Sequence, residues 1–127
     1  MREIKFRAWD TKRKKMYSAD EMGEDQLTLM PDGRGFINVN GTSTKLSQFC
    51  THLIPMQYTG LKDKNGTEIY EEDIIEYPNF MSGKIQRIEV KFILGSFGFG
   101  AANIYEKLKS INGEVIGNIH QNPELLK

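Results

Sequence analysis

The residues best suited to nucleophilic chemistry are Cys50 and His52, which are separated by one residue. A thiol becomes a nucleophile when a neighbouring imidazole takes its proton. Two residues apart, these side chains share a face on a strand and diverge on a helix. The sequence shows no third group to orient the imidazole and no oxyanion motif. We therefore predict no catalytic residues and interpret Cys50 as a buried thiol near a surface histidine.

A second chemically suggestive set is a cluster of carboxylates in the middle of the chain. Its members are Glu68, Glu71, Glu72, Asp73 and Glu76. Oxygen ligands of this kind bind Mg²⁺ or Ca²⁺. The preceding residues 63–66 lack EF-hand spacing because their glycine comes too early. With one cysteine and two histidines, the chain also cannot supply four N/S ligands to a closed zinc site. We expect solvated surface carboxylates, no metal site and no cofactor.

A third set is a run of cations at residues 12–15, preceded by an arginine and a tryptophan on the same strand. Cations contact phosphates, and an exposed indole stacks on a base. A charged hairpin tip also keeps an edge strand from pairing with other chains, and we favour that interpretation. The candidate nucleic-acid-binding residues are Arg7, Trp9, Lys12, Arg13, Lys14 and Lys15.

Aromatic residues alternate with glycine near the C-terminal third, at Phe97 and Phe99. They could form an exposed ridge for a partner. Glycine between aromatics is also typical of a sharply bent strand whose rings lie in the core. We favour the core interpretation.

The elements that position these residues are predicted from alternation. Ile4, Phe6 and Ala8 fall on one strand face, which places Trp9 on the opposite, exposed face. Residues 10–15 predict a hairpin loop, and residues 16–17 begin the returning strand. Further strands are predicted over residues 26–30, 36–39, 53–58, 67–70, 74–77, 85–92 and 114–119.

Turn chemistry separates these strands at residues 31–33, 40–41 and 63–66. Within residues 85–92, alternation places Ile88, Val90 and Phe92 on one face. Residues 42–52 and 101–110 are compatible with a helical turn or an extended chain, and residues 122–126 predict a terminal helical turn. Many short strands favour a mostly β protein over an α/β fold. We divide the chain into an N-terminal β unit, residues 1–55, and a small barrel, residues 56–127, or one shared core.

Composition sets limits on function. The 127 residues carry no net charge, with 39% apolar and 27% charged residues, which is typical of one small globular domain or two very small ones. These values exclude a disordered chain and one that coats nucleic acid by bulk charge. Residues 1–15 hold seven basic and two acidic side chains, whereas residues 61–83 hold two basic and six acidic ones. This asymmetry favours complementarity within or between copies as much as a polyanion partner.

The N-terminus alternates charged and apolar residues, which is not the pattern of a signal peptide. No stretch approaches the about 20 apolar residues that span a bilayer. A single cysteine cannot form an internal disulfide, so we expect stability to come from the core. We expect a cytoplasmic location and no membrane partner.

Three stretches are informative when taken together: residues 5–10 with Met16, residues 56–66 with 68–71, and residues 115–119 with 122–126. In combination they resemble the YopX family of small phage and prophage proteins. The resemblance covers nearly the whole chain in order, except for residues 20–50. It implies a mostly β protein whose C-terminal part is similar to an SH3-like barrel. It also implies phage or prophage origin in a bacterial cytoplasm.

The resemblance implies no activity, so no catalytic residue carries over. It places Asp73 in a loop, where its carboxylate would accept bonds from backbone amides. One residue departs from the family pattern, because Glu72 stands where a glycine is usual. If that position has positive φ, Glu72 carries strain of about 1 kcal/mol or more.

The function we predict is non-enzymatic binding or assembly. A small barrel with an exposed edge strand can accept a peptide or a second copy of itself. The expected partner is therefore another copy of the chain, giving a homo-oligomer, or another protein. The alternative is nucleic-acid binding through the basic N-terminal hairpin, and an enzyme is the weakest interpretation.

Overall fold

The structure is a computed structural model that describes residues 3–38, 49–78, 81–93, 96–99, 102–103 and 113–126. For residues 93, 96–99 and 102–103 it describes the backbone alone. Three sequence predictions lie wholly or partly outside this part of the chain: the 40–41 turn, the packing of Phe97 and Phe99, and the conformation of the ambiguous segments 42–52 and 101–110, of which the structure describes residues 49–52 and 102–103. The chain divides into an N-terminal unit, Ile4–Gln57, and a C-terminal unit of Tyr58–Lys127 with Met1–Glu3.

The N-terminal unit is built mainly from short antiparallel strands. In chain order it contains β1 (Phe6–Asp10), β2 (Lys15–Tyr17), α1 (Ala19–Glu24), β3 (Leu27–Leu29), β4 (Phe36–Asn38), β5 (Phe49–Cys50) and the start of β6 (Leu53–Lys62). β1 lies between β2 and β6, with Ala8 opposite Tyr17 and Pro55. β4 lies between β3 and β5. The predicted hairpin at residues 10–15 is confirmed.

Helix α1 was not predicted from alternation, yet its start has a clear signal. The Ser18 hydroxyl accepts a hydrogen bond from the Glu21 N–H at 3.1 Å, and the Glu21 carboxylate accepts one from the Ser18 N–H at 3.2 Å. This reciprocal capping box satisfies two donors that a helix start leaves open. The helix buries Met22 against the core of the unit, which also contains Ala8, Phe36 and Leu53.

The C-terminal unit continues the β architecture. After the end of β6 it contains β7 (Glu68–Tyr70), β8 (Asp73–Pro78), β9 (Ile85–Glu89), β10 (Lys91–Ile93), β11 (Ser96–Phe99), β12 (Ala102–Asn103), β13 (Glu114–Asn118) and a 3-10 helix (Pro123–Leu126). Among the described strands, β8 lies between β13 and β9, and β11 lies between β10 and β12. The mostly β prediction is confirmed. The SH3-like arrangement stays a prediction.

The turn at residues 63–66 forms as predicted. Gly66 has φ +83°, and its N–H donates to the Asp63 carbonyl oxygen at 3.0 Å. One oxygen of the Asp63 carboxylate accepts the N–H groups of Asn65 and Thr67, at 2.8 and 2.9 Å. The other accepts the N–H of Val115 at 2.8 Å. Asp63 therefore connects the turn to β13.

The loop before β8 confirms the departure at Glu72. Its φ is +69°, the left-handed region in which glycine is unstrained. The Glu72 carboxylate contacts Nε2 of His120, and the Glu72 carbonyl oxygen accepts the N–H of Ile119 at 3.0 Å. Asp73 accepts the N–H of Tyr70 at 2.8 Å, as the resemblance implies. Glu72 thus combines a backbone conformation that is strained for a non-glycine residue with a side-chain contact to His120.

The predicted single strand over residues 85–92 is wrong in one respect. The strand breaks at Val90, whose N–H donates to the Asp73 carbonyl oxygen and whose carbonyl oxygen accepts the Glu72 N–H, both at 2.9 Å. β10 then pairs with β11 rather than with β8. Val90 is buried, but Phe92 is 58% exposed, because the new pairing removes it from the face that Val90 occupies.

Candidate functional site

Asp10, at the end of β1, organises the hairpin tip. Its carboxylate is fully buried, and Oδ1 accepts the backbone N–H groups of Lys12 and Arg13, both at 2.9 Å. Oδ2 lies 3.3 Å from Nη1 of Arg13. The Asp10 carbonyl oxygen accepts the N–H of Lys14, which has φ +55°. A buried carboxylate therefore fixes the backbone that displays the cations.

The Asp10 carboxylate is ionised at neutral pH. Burial alone would raise its pKa, but the hydrogen bonds from Arg13 and Lys12 and the nearby His52 imidazole outweigh burial. The net result is a pKa below the ordinary value for aspartate. Because hydrogen bonds to a charged acceptor are about twice as strong as neutral ones, the ionised form holds the turn most firmly.

The four cations at residues 12–15 fall into two classes. Arg13 pairs with Asp10, and Lys15 lies 3.2 Å from Glu21 and 4.5 Å from the centroid of the Tyr17 ring. Lys12 and Lys14 have no ion pair among the described residues. The acidic helix α1 thus neutralises part of the basic tip.

The prediction that Trp9 is exposed is wrong. Its side chain is only 7% exposed, and the preceding Ala8 is fully buried. Consecutive strand residues point to opposite faces, so both faces of β1 are covered at this end. Arg7 is half-buried on the same strand, opposite Met56. A stacking platform of Trp9 beside Arg7 therefore does not form on the described surface.

A cavity of about 530 Å³ lies beside the hairpin tip, wholly within the N-terminal unit. The hairpin, the C-terminal end of α1 and the strands that follow supply its walls. The lining residues are Asp10, Lys12, Arg13, Tyr17, Glu24, Asp25, Leu27, Asn38, Cys50, His52 and Leu53. Its volume falls in the range of about 300–1,000 Å³ that small-molecule sites occupy.

The structure places Cys50 and His52 at this cavity, but the thiol is not activated. Burial raises the pKa of Cys50, and the negative charge of Asp10 raises it further. The reactive thiolate is therefore disfavoured. His52 Nε2 lies 3.9 Å from the Asp10 carboxylate, and the His52 carbonyl oxygen accepts bonds from the backbone and hydroxyl of Thr11. These contacts give His52 a structural role at the hairpin base.

The acidic cluster separates in the structure. Glu72 contacts His120, Asp73 binds a backbone amide, and Glu76 pairs with Arg87 at 2.9 Å. No group of three or more His, Cys, Asp or Glu side chains adopts a metal-binding arrangement in the described part of the chain. None of the helices in that part is long and apolar enough to cross a membrane.

The C-terminal unit exposes a second surface along β9. Ile85 is 62% exposed and Leu126 is 40% exposed. With Leu125, Gln86 and Arg87 they line a shallow groove of about 400 Å³. We call Ile85, Leu125 and Leu126 the β9 patch. Sequence reasoning did not single it out, since its strand and its helical turn lie far apart in the chain.

Two solved structures share this fold over the whole chain. Protein EF1440 from Enterococcus faecalis is 31% identical, with full coverage of both chains and a TM-score of 0.69. Protein yopX from Bacillus subtilis is 23% identical, with 100% of this chain and 98% of that chain covered and a TM-score of 0.65. The curated proteins include no match to this chain.

The family comparison agrees with the motifs. The family model described as YopX protein matches residues 5–127, which include both units. The matched residues contain the Asp10 hairpin, the Asp63 turn and the Glu72 loop. This chain belongs to the YopX family.

Proposed function

We propose that this chain is a phage- or prophage-encoded assembly module of the bacterial cytoplasm, without enzymatic activity, that binds a second copy of itself through β9. The family resemblance supports the phage origin and the location. The observation that carries the assembly proposal is β9, which lies at the edge of its sheet among the described strands and whose outward backbone groups and charges can complement a second copy of itself.

The backbone of β9 supports pairing on its open side. Among the described strands, β9 pairs with β8 alone. The Val90 N–H points to β8, in register with the β8–β9 ladder. Antiparallel residues alternate in direction, so Arg87 and Glu89 direct their N–H and C=O groups away from β8. These groups can bond to an added strand, which is the usual way that sheet edges recognise partners.

The side chains of β9 select one register. If Ile88 lies opposite Ile88 of a second copy, Arg87 of each chain lies opposite Glu89 of the other. In the two neighbouring registers, Arg87 lies opposite Arg87 of the second copy, or Glu89 lies opposite its Glu89, so like charges face each other. Opposite charges across strands stabilise pairing and like charges weaken it. Two-fold symmetry makes this contact self-complementary.

The β9 patch adds apolar area beside the same strand. Exposed Ile85 and Leu126 would lose contact with water in the pair. β9 contributes only five residues, so the interface is small. We expect a dimer with a dissociation constant in the micromolar range, since small interfaces are weak.

Charge reversal tests the register. We expect Arg87→Glu and Glu89→Arg each to give monomers, because each places like charges opposite each other in the pair. Mixing the two variants should restore a dimer, because one chain then carries two acidic residues and the other two basic ones. Light scattering after size exclusion measures all three samples.

The mixing step separates an interface effect from misfolding. Each variant also replaces an internal pair, Arg87 with Glu76 or Glu89 with Lys91, by two like charges. The carboxylates of these pairs are only 25% and 21% exposed, so each variant is expected to lose more than the about 1 kcal/mol of an exposed pair. Circular dichroism of each variant alone should match that of the wild type. A monomeric mixture of folded variants, or dimers in all samples, would refute the β9 interface.

The second candidate function is nucleic-acid binding through the hairpin tip. It is favoured by Lys12 and Lys14, which lack ion pairs among the described residues, and by Arg13, whose side chain is 72% exposed. We expect binding to single-stranded DNA or RNA to weaken steeply with salt. Changing residues 12–15 together to alanine should abolish it. Binding that resists salt or survives this change would exclude the hairpin as the site.

A further inference from the structure

We propose that the cavity of the N-terminal unit binds a short zwitterion, with the chemistry of an amino acid or small peptide. The carboxylate of the ligand would contact Lys12 and Arg13, and its ammonium group would contact Glu24 and Asp25. This site is independent of the β9 interface, because every residue that lines it belongs to the unit Ile4–Gln57.

Charges of opposite sign reach the cavity from two different elements. Lys12 and Arg13 reach it from the hairpin tip, whereas Glu24 and Asp25 reach it from the end of α1. The fifth charged residue at the cavity, Asp10, is already bound by two backbone N–H groups and Arg13. The groups left for a ligand therefore include charges of both signs.

The charges at the cavity differ in whether they already have a partner. Lys12, Glu24 and Asp25 form no ion pair among the described residues. Arg13 has five N–H donors, and Nη1 is the one that contacts Asp10. In contrast, Lys15 and Glu21, which do not line the cavity, pair with each other. At the cavity wall, Arg13 is already paired with Asp10, so Lys12, Glu24 and Asp25 are the charges there that remain unpaired among the described residues.

The two acids lie at the C-terminal end of α1. Glu24 is the last residue of α1 and Asp25 is its C-cap. Both side chains are exposed, and no basic residue of the last turn lies beside them. A cationic group that enters the cavity would therefore contact both carboxylates.

The charges that line the cavity disfavour a simple anion as its ligand. Three carboxylates and two cations line the cavity, with Asp10 ionised. Phosphate or nucleic acid would meet Lys12 and Arg13 but would be repelled by Glu24 and Asp25. The apolar side chains of Leu27 and Leu53 and the ring of Tyr17 can contact a short uncharged body between the two ends.

The experiment titrates the full, ¹⁵N-labelled chain with three probes of nearly equal shape. They are the dipeptide dialanine, its N-acetylated form and its C-terminal amide. We expect dialanine to shift the amide resonances of Lys12, Arg13 and Asp25. It should bind about tenfold more tightly than either blocked form, because each blocked form loses one charge-assisted contact.

Charge-removing variants test which side of the cavity binds the carboxylate of dialanine and which side binds its ammonium group. In Lys12→Gln, which leaves Arg13 to contact the carboxylate, dialanine should lose most of its advantage over the amide but keep its advantage over the N-acetyl form. In Glu24→Gln with Asp25→Asn, the pattern should reverse. The matched controls are Lys14→Gln and Asp20→Asn, which change the same turn and the same helix outside the cavity lining. Both controls should bind like the wild type.

Three outcomes would overturn the proposal. The first is the absence of shifts at millimolar dialanine. The second is equal affinity for the three probes, which means that the terminal charges are not recognised. The third is tighter binding of inorganic phosphate or of the N-acetyl form, which would make the cavity an anion site.

Discussion

Removing the Asp10 carboxylate should destabilise the N-terminal unit by an amount that follows from its hydrogen bonds. In Asp10→Ala, the N–H groups of Lys12 and Arg13 lose their acceptor. Both bonds are partly buried, so each lost acceptor costs about 1 kcal/mol, at the low end of the range for an unsatisfied donor. The largely exposed pair with Arg13 adds up to about 1 kcal/mol. The expected loss is about 2–3 kcal/mol.

Asp10→Asn separates charge from shape. Its amide oxygen still accepts from the two backbone N–H groups, but neutral bonds are about half as strong as charge-assisted ones. We expect a loss of about 1–2 kcal/mol, larger than that of Arg13→Ala, which removes the exposed pair with Asp10 and the contact with Tyr17. Urea denaturation followed by fluorescence of Trp9 measures all three free energies of unfolding, since this is the only tryptophan of the chain.

The stability difference between the wild type and Asp10→Asn should depend on pH, because the ionised carboxylate is the form that stabilises the hairpin. The folded-state pKa of Asp10 is depressed, so its contribution to stability is complete above the unfolded pKa and disappears as pH falls through the folded value. The difference between wild type and Asp10→Asn should therefore shrink below about pH 4. If Asp10→Asn matches Arg13→Ala at neutral pH, or if its deficit grows in acid, the carboxylate does not hold the hairpin in the way described.

Three further predictions concern single sites. Glu72→Gly should raise the free energy of unfolding by about 1 kcal/mol in a His120→Gln background, because glycine relieves the strain of the positive φ. The gain should be smaller in the wild type, because the substitution there also removes the contact with His120. If urea denaturation shows a loss in both backgrounds, this loop is not strained. Gly117→Ala should cost about 1–3 kcal/mol by the same assay, because a Cβ at this position overlaps Oδ1 of Asn122; unchanged stability would show that the Asn122 side chain moves away freely. Cys50 should react with iodoacetamide more slowly in the folded chain than in urea at the same pH, because burial raises its pKa; equal rates would mean that the thiol is not shielded.

Local turn chemistry explains why much of the fold could be predicted. The turn at Asp63 and Gly66 depends on residues that are adjacent in sequence, and it forms as expected. The strain at Glu72 was also predictable, since the family pattern marks this position as one for glycine. At the Asp63 turn the bonds come mostly from neighbouring residues, so the sequence contains the necessary information. At Glu72 the partners Val90, Ile119 and His120 are distant in sequence, and only the family pattern made the backbone conformation predictable.

Features that depend on distant packing could not be predicted. Alternation shows that Trp9 and Ala8 face opposite sides of β1, but it does not show that both sides are covered. The burial of Asp10 likewise depends on how the hairpin packs, because an aspartate before a turn is ordinarily exposed. The break at Val90 depends on hydrogen bonds to Glu72 and Asp73, which lie seventeen or more residues away in the sequence.

Helix α1 is an intermediate case. Its capping box, Ser18 followed by Glu21, is readable from the sequence. The helix has only six residues and lies between short strands, so the period-2 pattern around it dominates. The acidic end of α1 became meaningful only when the structure placed it at the cavity beside Lys12.

The most direct test of self-assembly through β9 is the molar mass of the wild-type chain in solution. Light scattering over a range of concentrations that extends through the micromolar should show the mass rising from the chain mass of 14.6 kDa toward twice that value. A mass that stays at one chain at every accessible concentration would contradict the account.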